Sequence, residues 1–381
     1  MFTYLNFEFY GYTLRELIPV AVLLVTFVIQ LVYYLRKYGK IATYRQKVSK
    51  ESPPVSVVVV VEDSLAFVVE TLPLLLSQDY EAYEVVVVDY GSSLEVVEAL
   101  ELCALQHPRL RTTRIHADAK YKRRRKLALS VGIKAARYPN VVFTEAQAYP
   151  VSPKWLAMMA KGFTVGEVVI GYANIEPQKG LANKLIRCSR LMLSVRYLSS
   201  AIRQRAYKGI SSNMGFTSRI YFSNKGYNYQ KLNTGDDDLF VRQIANRKNT
   251  SVVLNPQATI REHFYGGLRT WWSERRYHTY AYRYYPSGVK SGIFTELFSR
   301  TLFFASAALC LAWMIPYVWI GAAALLGLRW LAVYYAIVRI CLRLGERGLF
   351  LAFFLYDLVA PAAEFFLSLS RKLRPSRGVW C

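Results

Sequence analysis

The sequence predicts an α/β domain built on a mostly parallel sheet and flanked by transmembrane helices at both ends. Three observations predict it. Residues 18–35 and the stretch from Thr301 onward are long and apolar. Residues 55–61 and 84–89 are nearly continuous valine runs, as strands buried on both faces require. Residues 65–78 between them have the apolar periodicity of a helix, giving a βαβ unit with a right-handed crossover.

Composition narrows the class. The chain has 381 residues with 49 Lys+Arg against 26 Asp+Glu, a net charge of +23, yet 53% of it is hydrophobic. A soluble nucleic-acid binder carries such charge without the apolar bulk, and disorder requires low hydrophobicity. A protein lying against anionic lipid accounts for both, because positive charge collects on the cytoplasmic side of membrane spans. The five cysteines form no C-x-x-C pair and no metal-ligand spacing with the four histidines. That suits a reducing compartment and argues against a zinc site or a disulfide framework.

The first apolar run is uncharged, and at roughly 1.5 Å per residue it covers about 27 Å, close to a bilayer core. Arg36, Lys37, Lys40, Arg45, Lys47 and Lys50 follow it, while only Arg15 precedes it. The positive-inside rule puts the following domain in the cytoplasm, as in a bacterial-type inner membrane. Near the other end, residues 301–327 lack charge and contain Pro316, so they form one long span or begin a hairpin. Residues 328–345 carry Arg329, Arg339 and Arg343, and Arg347 follows. The four-residue spacing of the last three predicts an amphipathic helix at the headgroups with snorkelling arginines. Residues 349–369 are long enough to span, with Asp357 and Glu364 inside them. The expected total is two to four spans.

The resulting organisation is a tail (1–17), a span (18–35), an α/β domain (51–265), a basic and aromatic interfacial segment (266–299) and a C-terminal membrane region (300–370). Within the domain, residues 140–144 read as a third buried strand after a basic helix from about Arg123 to Ala136. Open α/β sheets bind ligands beyond the carboxyl ends of their strands. Those ends carry Asp63, Asp89 and Glu145. Polar residues that simply end strands would give the same pattern.

The order of segments resembles a membrane-bound family 2 glycosyltransferase with a GT-A nucleotide-sugar domain, a Rossmann-like fold. The resemblance rests on Pro54-Val-Ser-Val-Val-Val-Val-Val61, Gln78-Asp-Tyr-Glu-Ala-Tyr-Glu-Val-Val-Val-Val-Asp89, Gly91-Ser-Ser93, Lys126-Leu-Ala-Leu-Ser-Val-Gly-Ile-Lys-Ala-Ala136, Phe143-Thr-Glu-Ala-Gln-Ala-Tyr-Pro150 and Gly235-Asp-Asp-Asp-Leu-Phe240. It implies transfer of a sugar from a nucleotide-sugar donor to a lipid-linked or membrane-proximal acceptor. It further implies Mg or Mn at the diphosphate, a carboxylate base, and a membrane-side element gripping diphosphate and acceptor. By the match, Asp237 is the base with Asp236 beside it, and Glu145 and Gln147 stand at the metal position. Asp63 and Asp89, with Lys122, Arg125 and Lys126, fall at the donor pocket. Asn213, Arg275 and Arg276 fall at the acceptor or diphosphate. Asp236–Asp238 equally suit the first turn of a helix.

Several of these motifs depart from the family pattern. An Asp-x-Asp element reads Glu145-Ala-Gln147, so one carboxylate of a hard-cation site is a neutral amide. The acidic pair after the second strand reads Asp89-Tyr90, and an Asn-Glu after the first reads Asp63-Ser64. The membrane-side Gln-x-x-Arg-Trp element reads Glu274-Arg-Arg-Tyr-His278, and a Gly-Arg-Asn reads Ser211-Ser-Asn213. Lys120-Tyr-Lys-Arg-Arg-Arg-Lys126 lies beside the expected pocket, where fixed cations replace a metal or simply face anionic lipid. The aromatic and Arg-rich residues 269–285 suit either an interfacial helix or contact with a sugar. Three readings follow: a membrane glycosyltransferase, a catalytically reduced relative serving as scaffold or partner, and a binding module for anionic lipid.

Overall fold

The computed structural model describes residues 8–9, 12–46, 49–115, 124–229, 236–312 and 317–373. The side chains of residues 8–16, 124, 228–229, 236–238, 277–278, 280 and 371–373 lie outside the description. Strands β1 (Glu8–Phe9) and β2 (Tyr12–Thr13) pair ahead of α1 (Leu14–Leu31). A π-helical stretch, Val32–Tyr38, joins α1 to α2 (Lys40–Thr43), so Leu17–Thr43 is one apolar helix of 27 residues.

The α/β domain opens with β3 (Val55–Val61), α3 (Leu72–Leu76), β4 (Tyr83–Tyr90), α4 (Leu94–Gln106) and β5 (Leu110–Ile115). It continues through α5 (Arg124–Ala135), β6 (Asn140–Glu145), β7 (Ala148–Pro150), α6 (Trp155–Gly162), β8 (Val168–Ile170) and β9 (Ala173–Ile175). Then come α7 (Leu181–Ile202), β10 (Met214–Thr217), α8 (Ser218–Ser223), α9 (Asp236–Ile244), β11 (Thr250–Val252) and β12 (Ile260–Glu262). Helix α10 (Leu268–His278) leads back to α11 (Ser287–Ala312), α12 (Val318–Leu344) and α13 (Phe350–Leu373).

The main sheet has strand order β11-β8-β10-β6-β3-β4-β5, with β10 antiparallel to both its neighbours and the other pairs parallel. A second sheet, β7-β12-β9, sits beyond it. The valines of β3 and β4 are buried on both faces, which is why neither strand alternates in sequence. Helix α5 lies so close to the sheet that a Cβ on Gly132 would stand 2.5 Å from a Val58 methyl. On one face, the sheet's core is continuous with the membrane helices: Val58, Val86 and Phe143 belong to the same buried cluster as Tyr34, Ile337 and Phe353. Helix α7 runs through that cluster and is buried almost all round, as a helix packed between two layers must be.

Among the described residues, four helices are long and apolar enough to cross a membrane: Leu17–Thr43, Ser287–Ala312, Val318–Leu344 and Phe350–Ser370. Two expectations change here. The Arg-bearing stretch of residues 328–345 is not a separate interfacial helix but the second half of α12. Its Arg329 does not snorkel; it is fully buried and reaches Asp357 of α13 at 2.6 Å and Gln30 of α1 at 3.1 Å. The interfacial segment also ends sooner, since α11 begins at Ser287.

Arg329 begins a buried chain of ion pairs. Asp357 also meets Arg300 at 3.4 Å, and Arg300 pairs with Glu296 one turn earlier. Glu296 takes Arg196 of α7 at 2.8 Å, Arg196 lies 3.4 Å from Glu364 of α13, and Glu364 takes Arg275 of α10 at 3.0 Å. Ions placed among apolar helices must be paired to be tolerated, and here each carboxylate serves two guanidinium groups. The chain thereby ties the membrane helices to α7 and α10.

Candidate functional site

Strand register gathers the carboxylates. β3 lies between β4 and β6, with Val61 opposite Asp89 and Val60 opposite Glu145. Asp63 follows two residues past the end of β3 in a left-handed conformation, φ +47°. Asp63 and Asp89 are joined by the turn at residues 91–93. The Asp63 N–H donates to Ser92 Oγ at 2.9 Å, Ser93 N–H donates to Asp63 Oδ1 at 2.9 Å, and Ser92 N–H donates to Asp89 Oδ1 at 3.2 Å. Gly91, at φ +64°, supplies the turn. The hydrogen bonds from Ser93 hold the Asp63 carboxyl below the ordinary carboxylate range. Asp89 is buried and lies 3.3 Å from Arg114.

Glu145 is the centre of a second group. Arg125, in the first turn of α5, donates to Glu145 Oε1 at 2.7 Å, and Ser211 Oγ donates to the same oxygen. Next to Ser211, Ser212 Oγ donates to Glu262 Oε1 at 2.6 Å, and Arg190 of α7 pairs with the other oxygen of Glu262. Burial weakens the Arg190 charge, but Glu262, with Glu145 and Glu274 further off, outweighs it and holds the guanidinium above its ordinary value. The Glu274 carboxyl is raised by desolvation, pulled down by Arg190 and pushed up by Glu262. Glu145, Glu262, Glu274, Arg125 and Arg190 thus form one electrostatic group at the ends of β6 and β12. Beside it, His263 Nδ1 lies 2.9 Å from Glu176 Oε2.

The remaining predicted residues fall in different places. Asn213 is fully buried; its amide accepts from Trp155 Nε1 at 3.0 Å and donates to the carbonyls of Tyr172 at 2.7 Å and Ala258 at 2.8 Å. These hydrogen bonds are all made to the scaffold. Arg275 points to Glu364 and the membrane helices, leaving Arg276 half-buried on the same helix. Lys126 is buried, and Gln147 is exposed, its backbone oxygen accepting from His263 N–H at 2.8 Å. Lys122 lies outside the described residues. Asp236 and Asp237 open α9, as a helix-capping reading expects, and their side chains lie outside the description.

A divalent cation at Glu145 would need free carboxylate oxygens converging there. One Glu145 oxygen already accepts from a guanidinium and a hydroxyl, and Gln147 brings only a neutral amide. Among the described residues no group of three His, Cys, Asp or Glu side chains is placed to hold a metal ion. The described donor set does not fit the ion.

Sequence reasoning missed Arg190 and Glu262. Arg190 sits mid-helix and Glu262 ends a three-residue strand, so neither carries a local motif. The only signal was a charged residue inside an otherwise buried segment.

The family model for Glycosyl transferase family 21 matches residues 19–216, more than half of the chain. The chain belongs to that family. The motifs had resembled family 2; what the two readings share, a membrane-bound glycosyltransferase of the GT-A type, is what this family 21 chain shows. Among solved structures it is similar to the mannosyltransferase PcManGT from Pyrobaculum calidifontis, a structure in complex with GDP-Man and Mn2+. That likeness has a TM-score of 0.53 at 18% identity, over 87% of this chain and 99% of that one, and it speaks to the fold. A looser likeness is to S. aureus TarS 1-349 in complex with UDP-GlcNAc, with a TM-score of 0.43, 16% identity, and coverage of 84% and 92%. Nothing rests on the second. No curated protein matches the chain.

Proposed function

We propose that this family 21 chain transfers a sugar from a nucleotide-sugar donor to a lipid-linked or membrane-proximal acceptor, with its α/β domain on the cytoplasmic side. One observation carries the reading. The Glu145 group lies at the carboxyl ends of parallel strands and also against α7 and α10, which the Arg196–Glu364–Arg275 pairs bind to a spanning-length helix. A donor held by the sheet and an acceptor held in lipid would meet there.

As the sugar leaves, negative charge grows on the diphosphate and must be met by fixed charge. Arg125, oriented by Glu145, supplies it together with Lys122 and Lys126 of the same basic run. Asp63 and Asp89, fixed by the turn at residues 91–93, hold the nucleoside end. Asp237, with Asp236 beside it, removes the proton of the attacking hydroxyl. The Mg or Mn implied by the resemblance is given no step, because a guanidinium stands on the carboxylate that would bind it.

A catalytically reduced scaffold is the second reading, favoured by that same Arg125–Glu145 pair, which occupies the carboxylate at the metal position. Nucleotide-sugar binding and turnover by the purified chain separate the two. Turnover lost in Asp237→Asn supports transfer; binding without turnover supports the scaffold.

A further inference from the structure

A cavity of about 270 Å³ lies apart from the Glu145 group, between the end of the first membrane helix, the end of α7 and the start of α11. Lys37, Arg196, Arg203 and Arg205 line it, and among the described residues no acidic one does. Arg196 is neutralised by Glu296 and Glu364. Among the described residues, Lys37, Arg203 and Arg205 have no carboxylate partner within ion-pair distance; Lys37 instead lies 4.3 Å over the Tyr33 ring. Three cations facing one cavity repel one another. Burial and the neighbouring Arg205 hold Arg203 below its ordinary value.

The surroundings fix the arrangement. Gln204, at φ +58°, ends α7 in a left-handed turn, with Ser200 Oγ donating to the Arg205 carbonyl at 2.6 Å and Arg205 N–H returning to the Ser200 carbonyl at 3.0 Å. This turn presents Arg203 and Arg205 side by side. Across the cavity, Pro286 precedes the 26-residue helix α11 and Gly288 and Val289 lie in its first turn, whose N-terminal pole favours an anion. Gly288 has open space where a Cβ would be, and Gly292 leaves room beside Lys37 Nζ. Tyr33 donates to the Gly292 carbonyl at 2.8 Å, holding the two helices together at this level. The first membrane helix ends here and α11 begins here, so both meet the same membrane surface, the one facing the α/β domain.

We propose that this cavity binds the phosphate of an anionic membrane lipid. It is a site separate from the one that takes the sugar donor, and it stands whether or not the chain transfers sugar. The lipid source follows from position, since the cavity lies where two spanning-length helices reach the headgroup level on the domain side. The phosphate sits among Lys37, Arg203 and Arg205, facing the N-terminal pole of α11 at Gly288.

The test is native mass spectrometry of the detergent-purified full chain titrated with phosphatidic acid and, separately, phosphatidylcholine. Melting curves in inorganic phosphate form a parallel arm. Phosphatidic acid is expected to bind preferentially, and Arg203→Ala with Arg205→Ala is expected to weaken it about thirty-fold, as loss of two lipid-facing charges requires. Gly288→Phe fills the cavity without removing charge and is expected to abolish the preference as well. Undiminished phosphatidic acid preference in both variants overturns the proposal. So does stabilisation by inorganic phosphate to which the lipid adds nothing.

Discussion

Arg125 donates to Glu145 at 2.7 Å, so the carboxylate at the end of β6 already carries a cation. In the pattern the sequence resembles, a metal ion stands at that position. Here α5 opens at Arg124, close enough to deliver a side-chain charge to the end of the strand that follows. In the proposed reaction, that side chain supplies charge at the departing diphosphate.

Arg125→Ala should weaken nucleotide-sugar binding by about tenfold, the worth of one hydrogen bond to a charged group. Titration calorimetry on the full chain measures it. Unchanged affinity would remove Arg125 from the donor site.

Asn213→Ala should act on folding. It leaves the Trp155 indole N–H and the Ala258 carbonyl buried without that partner, at about 1–3 kcal/mol for each unpaired group, while the Tyr172 carbonyl keeps the Ile260 N–H at 3.2 Å. Thermal unfolding in detergent should show a clear fall in the midpoint. An unmoved midpoint with weakened acceptor binding would restore the contact role that the resemblance implied.

Asp357→Leu strands Arg329 among the membrane helices and takes from Arg300 one of its two carboxylates, and breaking such a buried pair costs about 3–5 kcal/mol. Adding Arg329→Met should recover much of the loss, because two apolar residues replace an ion pair at little net cost. Thermal unfolding of the single and double variants checks it; equal loss in both would contradict the pairing.

Acid should loosen the contact between the domain and the membrane region. Glu346, between α12 and α13, pairs with Arg187 of α7 at 2.5 Å and with Arg261 of β12; burial alone would raise its carboxyl, but Arg261 and Arg187 outweigh that and hold it below the ordinary range. A depressed acid contributes stability that is fully present above its unfolded value, about 4.3, and is lost as pH falls through the lower folded value. The melting midpoint should hold down to about pH 5 and fall below it. In Glu346→Gln the midpoint should be lower at neutral pH and its acid dependence shallower.

The parallel strands, the helices between them and the membrane runs were legible because each is a local pattern. Val55–Val61 and the apolar first helix declare themselves within a few residues. Arg329 was misread for a physical reason. A charge in an apolar run is assigned to the headgroups unless its partner is known, and Asp357 lies on the next helix. Asn213 was placed by its motif, and only packing shows that all three of its partners lie within the scaffold. The Arg190–Glu262 pair joins residues 72 positions apart, a relationship no spacing rule reaches.

The most direct test of the central claim is turnover of a panel of nucleotide sugars by the full chain in membranes, with manganese and with excess chelator. Transfer is expected to persist in chelator, to fall in Arg125→Ala and to disappear in Asp237→Asn. Turnover that requires manganese, or no binding of any nucleotide sugar under either condition, would contradict it.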